Sequence, residues 1–221
     1  MKILSWNVNS IRVRKSQLLS VIKKENPDII CLQETKTIDD CFPKDVLKKK
    51  GYFVYINGIQ SYNGVAIISK IEANKINSHK FCNLDDARHI QANFKNNHIS
   101  SKVLVGDLNI APYENDVWSH KQLQNIVSHT KIEREKLIQI MNKGKFIDTT
   151  RLFISPPKNV FTWWSYRSKD FKKNNRGRRL DHIWITDHHK VVSLNAKIII
   201  DTRSLPQPSD HVPISYEFDL S

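Results

Sequence analysis

The sequence predicts an α+β fold, with sheets packed face to face and helices outside them. Short β-branched runs bounded by turn residues outnumber the helical patterns, and the two kinds do not alternate regularly along the chain. No linker, low-complexity stretch or strong repeat interrupts the 221 residues, so one domain over residues 1–221 is expected.

The expected strands are Ile3 to Trp6, Asp28 to Leu32, Tyr52 to Ile56, Val65 to Ile68 and His89 to Phe94, then Val103 to Val105, Leu180 to Ile185, Lys197 to Ile200 and Ile214 to Phe218. Branched and aromatic side chains of this kind fit a pleated, half-buried surface. Asn63-Gly64 is a hairpin signal before the Val65 run. Lys15 to Glu25 sets Leu18, Leu19, Ile22 and the stem of Lys23 on one side of a helix that Pro27 closes. Ile132 to Met141 repeats that spacing with Ile132, Leu137, Ile140 and Met141. Lys95 to His98 reads as a hairpin, so Ile99 to Val105 is expected to pair antiparallel with His89 to Phe94.

Charge narrows the class of partner. Lys and Arg total 35 against 22 acids, a formal net charge of +13. Such an excess suits a polyanion, either nucleic acid or an anionic membrane surface. The three cysteines, Cys31, Cys41 and Cys82, show no Cys-x-x-Cys spacing, which argues against a disulfide framework or a zinc site and for a reducing compartment. The first residues turn polar too soon for a signal-peptide core, and no apolar run nears bilayer length. A cytoplasmic monomer is expected, nucleoid-associated if the source is bacterial.

The informative feature is what lies at the strand ends. Ile3-Leu4-Ser5-Trp6 runs into Asn7; Ile29 to Leu32 runs into Gln33 and Glu34; Val103 to Val105 runs into Gly106, Asp107, Leu108 and Asn109. Asp181-His182 and Asp210-His211 open two later strands. Each alone reads as a turn or cap residue. Together they supply hard oxygen ligands and an imidazole without cysteine, which suits Mg²⁺ or Mn²⁺ rather than zinc. A hard cation beside a carboxylate and a histidine is a toolkit for phosphoryl hydrolysis. There is no Gly-x-x-x-x-Gly-Lys loop and no Gly-x-Ser-x-Gly elbow, and six glycines leave little material for either.

Trp6-Asn7-Val8-Asn9-Ser10, Leu32-Gln33-Glu34-Thr35-Lys36, Asn63-Gly64-Val65-Ala66-Ile67, Gly106-Asp107-Leu108-Asn109-Ile110-Ala111-Pro112, Arg179-Leu180-Asp181-His182 and Ser209-Asp210-His211-Val212-Pro213 stand in one order. In that order they resemble the exonuclease III group of apurinic/apyrimidinic endonucleases, within the endonuclease/exonuclease/phosphatase superfamily. The resemblance implies a four-layered α/β sandwich, two mostly antiparallel sheets flanked by helices, with the site at one edge. It implies a metal at Glu34 with Asn7 beside it, and Asp210 at the metal or supporting that cluster. Asp107 would activate or orient water with help from Asn109, His211 would contact the scissile phosphate, and Asp181 would be a further supporting carboxylate. The implied activity is incision of duplex DNA at abasic sites, with 3′-5′ exonuclease and 3′-phosphatase activity on 3′-blocked ends.

Phe161-Thr162-Trp163-Trp164-Ser165-Tyr166-Arg167-Ser168 resembles the segment by which such enzymes recognise an abasic nucleotide. Trp163 and Trp164 would line the apolar hole left by a flipped-out sugar without a base; core packing is the competing reading. Arg167, Lys169, Lys172, Lys173, Arg176 and Arg178 follow with only Asp170 against them, as a phosphate-tracking loop should. His188-His189 reads as an exposed turn.

One departure stands out. The family continues after Asp86-Ala87-Arg88 through a strand ending in Tyr-x-Pro-Asn and then a helix, whereas here Phe94 to Ser101 leads straight to the Asp107 strand. A strand and a helix are therefore missing near residues 99–102. Either the fused segment takes the missing strand's place and moves Asp107 off target, or it keeps its own place and leaves a gap. Two other functions stay open: a shortened remnant that binds DNA without cutting it, and a hydrolase of a small phosphate ester.

Overall fold

The pleat of the first strand decides where the other layers lie. In β1 (Lys2–Asn7), Leu4 and Trp6 enter one apolar cluster and Ile3 enters another on the opposite face, as a side-chain period of two requires. The first cluster is closed by α1 (Ile11–Glu25) through Ile11, Leu18, Val21 and Ile22. Val21, not the stem of Lys23, completes that face; Lys23 is exposed. The helix ends at Asn26, whose left-handed backbone (φ 46°) lets its N–H reach the Ile22 carbonyl, one residue before Pro27.

The computed structural model describes residues 1–95, 101–168, 170–186 and 191–220. Its first sheet runs β10-β11-β1-β2-β4-β3, with β2 (Ile29–Gln33), β3 (Phe53–Asn57), β4 (Val65–Ser69), β10 (Val191–Ile198) and β11 (Ile214–Leu220). Only the β1–β2 pair is parallel. A second sheet runs β7-β9-β8, from β7 (Val103–Asp107), β8 (Ile147–Asp148) and β9 (Asp181–Ile185). Ile3, Ile29, Ile67 and Tyr216 of the first sheet meet Ile183, Ile185 and Val105 of the second in one cluster, so the sheets pack face to face. Two short helices, α2 (Lys44–Lys48) and α3 (His120–Leu123), precede α4 (Lys131–Lys143); Phe146, which follows α4, lies outside the second sheet, 6.3 Å from Trp184. Of the apolar face expected on α4, Leu137 alone is buried; Ile132 and Ile140 are exposed. The fold is thus the expected α+β arrangement of mostly antiparallel sheets with helices outside.

β5 (Lys75–Asn77) and β6 (Gln91–Asn93) form a separate antiparallel pair. The expected pairing of the Val105 segment with His89–Phe94 is not what the described residues show. β7 pairs with β9, from Val103↔Ile185 to Asp107↔Asp181. Val105 faces the core opposite Ile183, and that long-range burial outweighs the local turn. β7 therefore keeps its own place, and its other edge carries no strand among the described residues. Residues 96–100 and the His188-His189 pair lie outside the described residues.

The Asn63-Gly64 signal sits at the end of the β3–β4 connection, with φ of 38° and 88°. A Cβ on Gly64 would stand 2.3 Å from Thr35 Oγ1, and the Thr35 N–H donates to the Gly64 carbonyl at 3.1 Å. Gly64→Ala is expected to destabilise the fold by about 1–3 kcal/mol. It should also disturb Glu34 next door. A urea midpoint unchanged from wild type would show that this turn tolerates a side chain.

Candidate active site

Three strands end in tight left-handed turns on one side of the sandwich. Asn9 (φ 42°) follows β1, Glu34 (φ 52°) and Lys36 (φ 53°) follow β2, and Asn109 (φ 54°) follows β7. Asn accepts this conformation, whereas Glu and Lys do so at a cost of roughly 1 kcal/mol each. Strain of this kind concentrates where side chains must be aimed. Here it turns polar residues from two sheets toward one another.

Asn7, fully buried, links the sheets. Its Nδ2 donates to Glu34 Oε1 at 3.0 Å and to Asp107 Oδ2 at 2.9 Å, while its Oδ1 accepts the Asn9 N–H at 3.0 Å. Asp107 Oδ1 accepts the Asn109 backbone N–H at 2.9 Å. Asn109 itself is exposed and contributes that amide. Across the cleft, His211 Nδ1 lies 2.8 Å from Asp181 Oδ2, and His211 Nε2 lies 3.6 Å from Asp107 Oδ2. Thr162 Oγ1 donates to the same Asp181 oxygen at 2.6 Å and accepts the Leu180 N–H at 3.0 Å. The Ser209 hydroxyl donates to the Asn7 carbonyl at 2.7 Å and accepts the His211 N–H at 3.2 Å.

Electrostatics follow from this packing. Burial pushes the Asp107 carboxyl up, and Asp181 adds to the rise against the pull of His211 and the Asn7 hydrogen bond, leaving it at about 6. Burial alone would lower the His211 imidazole, but Asp181 and Asp107 override it and hold the ring protonated, with a pKa of about 10. Asp181 thus orients a cationic imidazole toward Asp107.

A second group closes the cleft. Asp210 Oδ1 accepts Asn9 Nδ2 at 3.1 Å and Oδ2 accepts Trp163 Nε1 at 3.0 Å. Lys36 Nζ lies 2.6 Å from Asn9 Oδ1 and 2.9 Å from Glu34 Oε2. Tyr166 Oη donates to the Pro208 carbonyl at 2.9 Å and accepts from Asn9 and from Arg14.

The structure thus brings together Asn7, Glu34, Asp107, Asn109, Asp181, Asp210, His211 and Trp163. It separates Trp164 from them. That residue is 2% exposed, lies edge-on to Phe161 and Phe171, and packs with Val212. Neighbours on extended chain point to opposite sides, so core packing wins for Trp164. Arg167, Lys172, Lys173 and Arg176 are exposed, Lys169 lies outside the described residues, and Arg178 is half-buried against Trp163. Sequence reasoning gave no role to Lys36, Asn9, Thr162, Ser209, Arg14 or Tyr166. All but Arg14 lie inside motifs read for their neighbours, and their position in those motifs was the available signal.

The donor set suits a hard divalent cation. Four carboxylates, Glu34, Asp107, Asp181 and Asp210, face the cations Lys36 and His211, and Asp181 Oδ1 is buried without a hydrogen-bond partner. Asp107, Asp181 and His211 also bring one ligand atom each within 4.8 Å of one another. A protonated His211 has no lone pair to give, however, whereas Glu34 is oxygen-rich and its side chain is 37% exposed.

The chain is similar to known proteins in sequence and fold. Exodeoxyribonuclease III of Haemophilus influenzae is 27% identical over 99% of this chain and 100% of its own length. An exodeoxyribonuclease of Bacillus subtilis is 29% identical over 97% and 98%. Among solved structures, an AP endonuclease from Archaeoglobus fulgidus superposes with a TM-score of 0.90 at 28% identity, covering 100% of both chains. A 3′ phosphatase from Neisseria, bound to a product DNA hairpin, superposes with a TM-score of 0.89 at 27% identity, covering 99% of both. Residues 4–211, from the first strand through His211, match the description of a single family, and the chain belongs to that family, the Endonuclease/Exonuclease/phosphatase family.

Proposed function

We propose that this chain is a divalent-cation-dependent DNA-repair nuclease that hydrolyses phosphodiester bonds at abasic sites in duplex DNA. At the same centre it acts as a 3′-5′ exonuclease and 3′-phosphatase. The observation that carries this reading is the continuous network from Glu34 through Asn7 to Asp107 and on to His211 and Asp181. The relatives that match over nearly their whole length are named for DNA nuclease or DNA-end activities, which supports DNA over a small phosphate ester.

Glu34 would hold Mg²⁺ or Mn²⁺, with Asn7 and Asp210 beside it. When bound there, such a cation would supply Lewis-acid stabilisation of the charge developing on the phosphate oxygens. Asp107, fixed at both oxygens, takes the proton from the attacking water. The His211 cation stabilises the phosphate oxygens, and Asp181 with Thr162 keeps its ring in place. Arg167, Lys172, Lys173 and Arg176 supply the sequence-independent grip on the backbone that a net charge of +13 favours. One chain completes the site, which supports action as a monomer, and the free cysteines support a cytoplasmic setting.

A nicking assay on a duplex with one abasic site tests this. Incision with Mg²⁺, abolished by EDTA and restored on adding excess Mg²⁺ back, is expected. Salt-sensitive DNA binding without hydrolysis of this or a 3′-phosphate duplex would overturn the nuclease reading in favour of a non-cutting binder.

A further inference from the structure

The aromatic segment does not present an open slot for a sugar that has lost its base. Trp163 and Arg178 lie opposite each other in an antiparallel bridge, exchanging N–H···O bonds of 3.0 Å in both directions. Opposed residues in such a bridge project to the same side. The Arg178 guanidinium accordingly sits over the Trp163 ring, 5.5 Å from its centre. It is anchored there, because Nη1 donates to the Val127 carbonyl at 2.9 Å and to Ser128 Oγ at 2.5 Å. Trp163 also packs against the Ala111, Val117 and Leu180 cluster, and its Nε1 is committed to Asp210. Trp118, which packs against the same cluster, is covered in the same way, by Arg176 at 4.7 Å. Both tryptophans packed against this cluster therefore carry a guanidinium over the ring.

We propose that Arg178 is a gate that closes the Trp163 face to an extruded abasic sugar. The enzyme's preferred substrates are then 3′-terminal phosphates and nucleotides at nicks and ends. This rests on the nuclease reading above and ranks the activities within it. A base-less sugar can reach Trp163 only if Arg178 leaves its stacking contact and both hydrogen bonds. A 3′-terminal phosphate has no continuing strand beyond it and needs no such slot. Its hydrolysis adds the water oxygen to phosphorus and breaks the P–O3′ bond; a proton from that water ends on the leaving 3′ oxygen, giving a 3′-hydroxyl and inorganic phosphate. A stacked, hydrogen-bonded guanidinium of this kind, once displaced, is worth a rate ratio of about tenfold.

The test compares two duplexes that differ only at the lesion, one with an internal tetrahydrofuran abasic analogue and one with a nick bearing a 3′-phosphate. Both are followed in single turnovers with Mg²⁺. Wild type is expected to release the 3′-phosphate about tenfold faster than it incises the analogue. Arg178→Ala should raise the ratio of incision to phosphate release by about fivefold or more. Arg178→Lys, which keeps the charge but loses the planar fork, should raise it by less. The ratio is taken within one protein, so a loss of folded fraction cancels. Wild-type incision as fast as phosphate release, or a ratio that stays level or falls in both variants, would overturn the gate and leave Arg178 as a phosphate anchor. A wild type that processes neither duplex overturns the nuclease reading and the gate with it; an active wild type indifferent to Arg178 overturns the gate alone.

Discussion

Asp107→Asn is expected to lower the rate of DNA hydrolysis by about 10²–10⁴-fold while leaving duplex affinity within a few-fold. The side chain keeps its size and can still accept the Asn109 N–H, so the turn after β7 should survive. What it loses is the oxygen that accepts Asn7 Nδ2 at 2.9 Å and faces His211 Nε2 at 3.6 Å. An amide placed there either presents an NH₂ group to the Asn7 donor or turns round and breaks the Asn109 contact. In either orientation no group remains to take a proton from water. Affinity should hold because removing a buried negative charge from the phosphate's path does not weaken attraction to a polyanion. Single-turnover rates and fluorescence anisotropy separate the two effects. A rate loss under about tenfold would take Asp107 out of the chemistry.

The site was legible where the chemistry coincides with the ends of strands. Asn7, Glu34, Asp107, Asp181 and His211 each stand beside a run of apolar residues; one alone reads as a turn or cap residue, and the signal lies in the set. Their convergence was not legible from spacing, since Asn7 meets Asp107 across two sheets. The aromatic segment shows the limit of reading adjacent residues as one feature. Extended backbone sends Trp163 to the cleft and Trp164 to the core. The guanidinium over Trp163 is invisible in sequence because its bridge partner lies on a separate segment.

The fold repeats the lesson. The pairing expected between Ile99–Val105 and His89–Phe94 rested on local turn chemistry, and burial of Val105 opposite Ile183 decided otherwise. On α4, spacing alone marks Ile132 and Ile140 as core, but it cannot say how deeply the helix is seated, and both stay exposed. β5 and β8 are too short to show any periodicity.

Arg179→Met is expected to destabilise the protein by about 3–5 kcal/mol at neutral pH, a large share of a margin of about 5–15 kcal/mol. Arg179 is fully buried. Its guanidinium grips Asp116 through Nε at 2.9 Å and Nη2 at 2.8 Å, and Asp148 through Nη1 at 2.7 Å. Arg151 adds a further bond to Asp116. The cluster ties the loop beyond Asn109 to β8 and to the segment that carries Arg178 and Asp181, so methionine would leave the buried Asp148 carboxylate with only the Arg151 N–H, and Asp116 with only the Tyr113 N–H and the Arg151 side chain. Burial by itself would raise the Asp116 carboxyl, but Arg179 and Arg151 hold it below its ordinary 3.8. Its contribution to stability is therefore present above that value and lost as pH falls below it. His182 acts in the same sense: burial, helped by Arg179, pushes it down to about 4 from 6.5, so stability is lost as acid forces a proton onto it. In the variant the carboxylates that have lost the guanidinium can take up protons instead, which relieves their cost. The deficit relative to wild type should shrink between about pH 6 and pH 4. Urea midpoints at those two pH values measure it. A deficit below about 1 kcal/mol, or one that grows in acid, would mean that apolar packing and not the ion pairs holds this corner of the site.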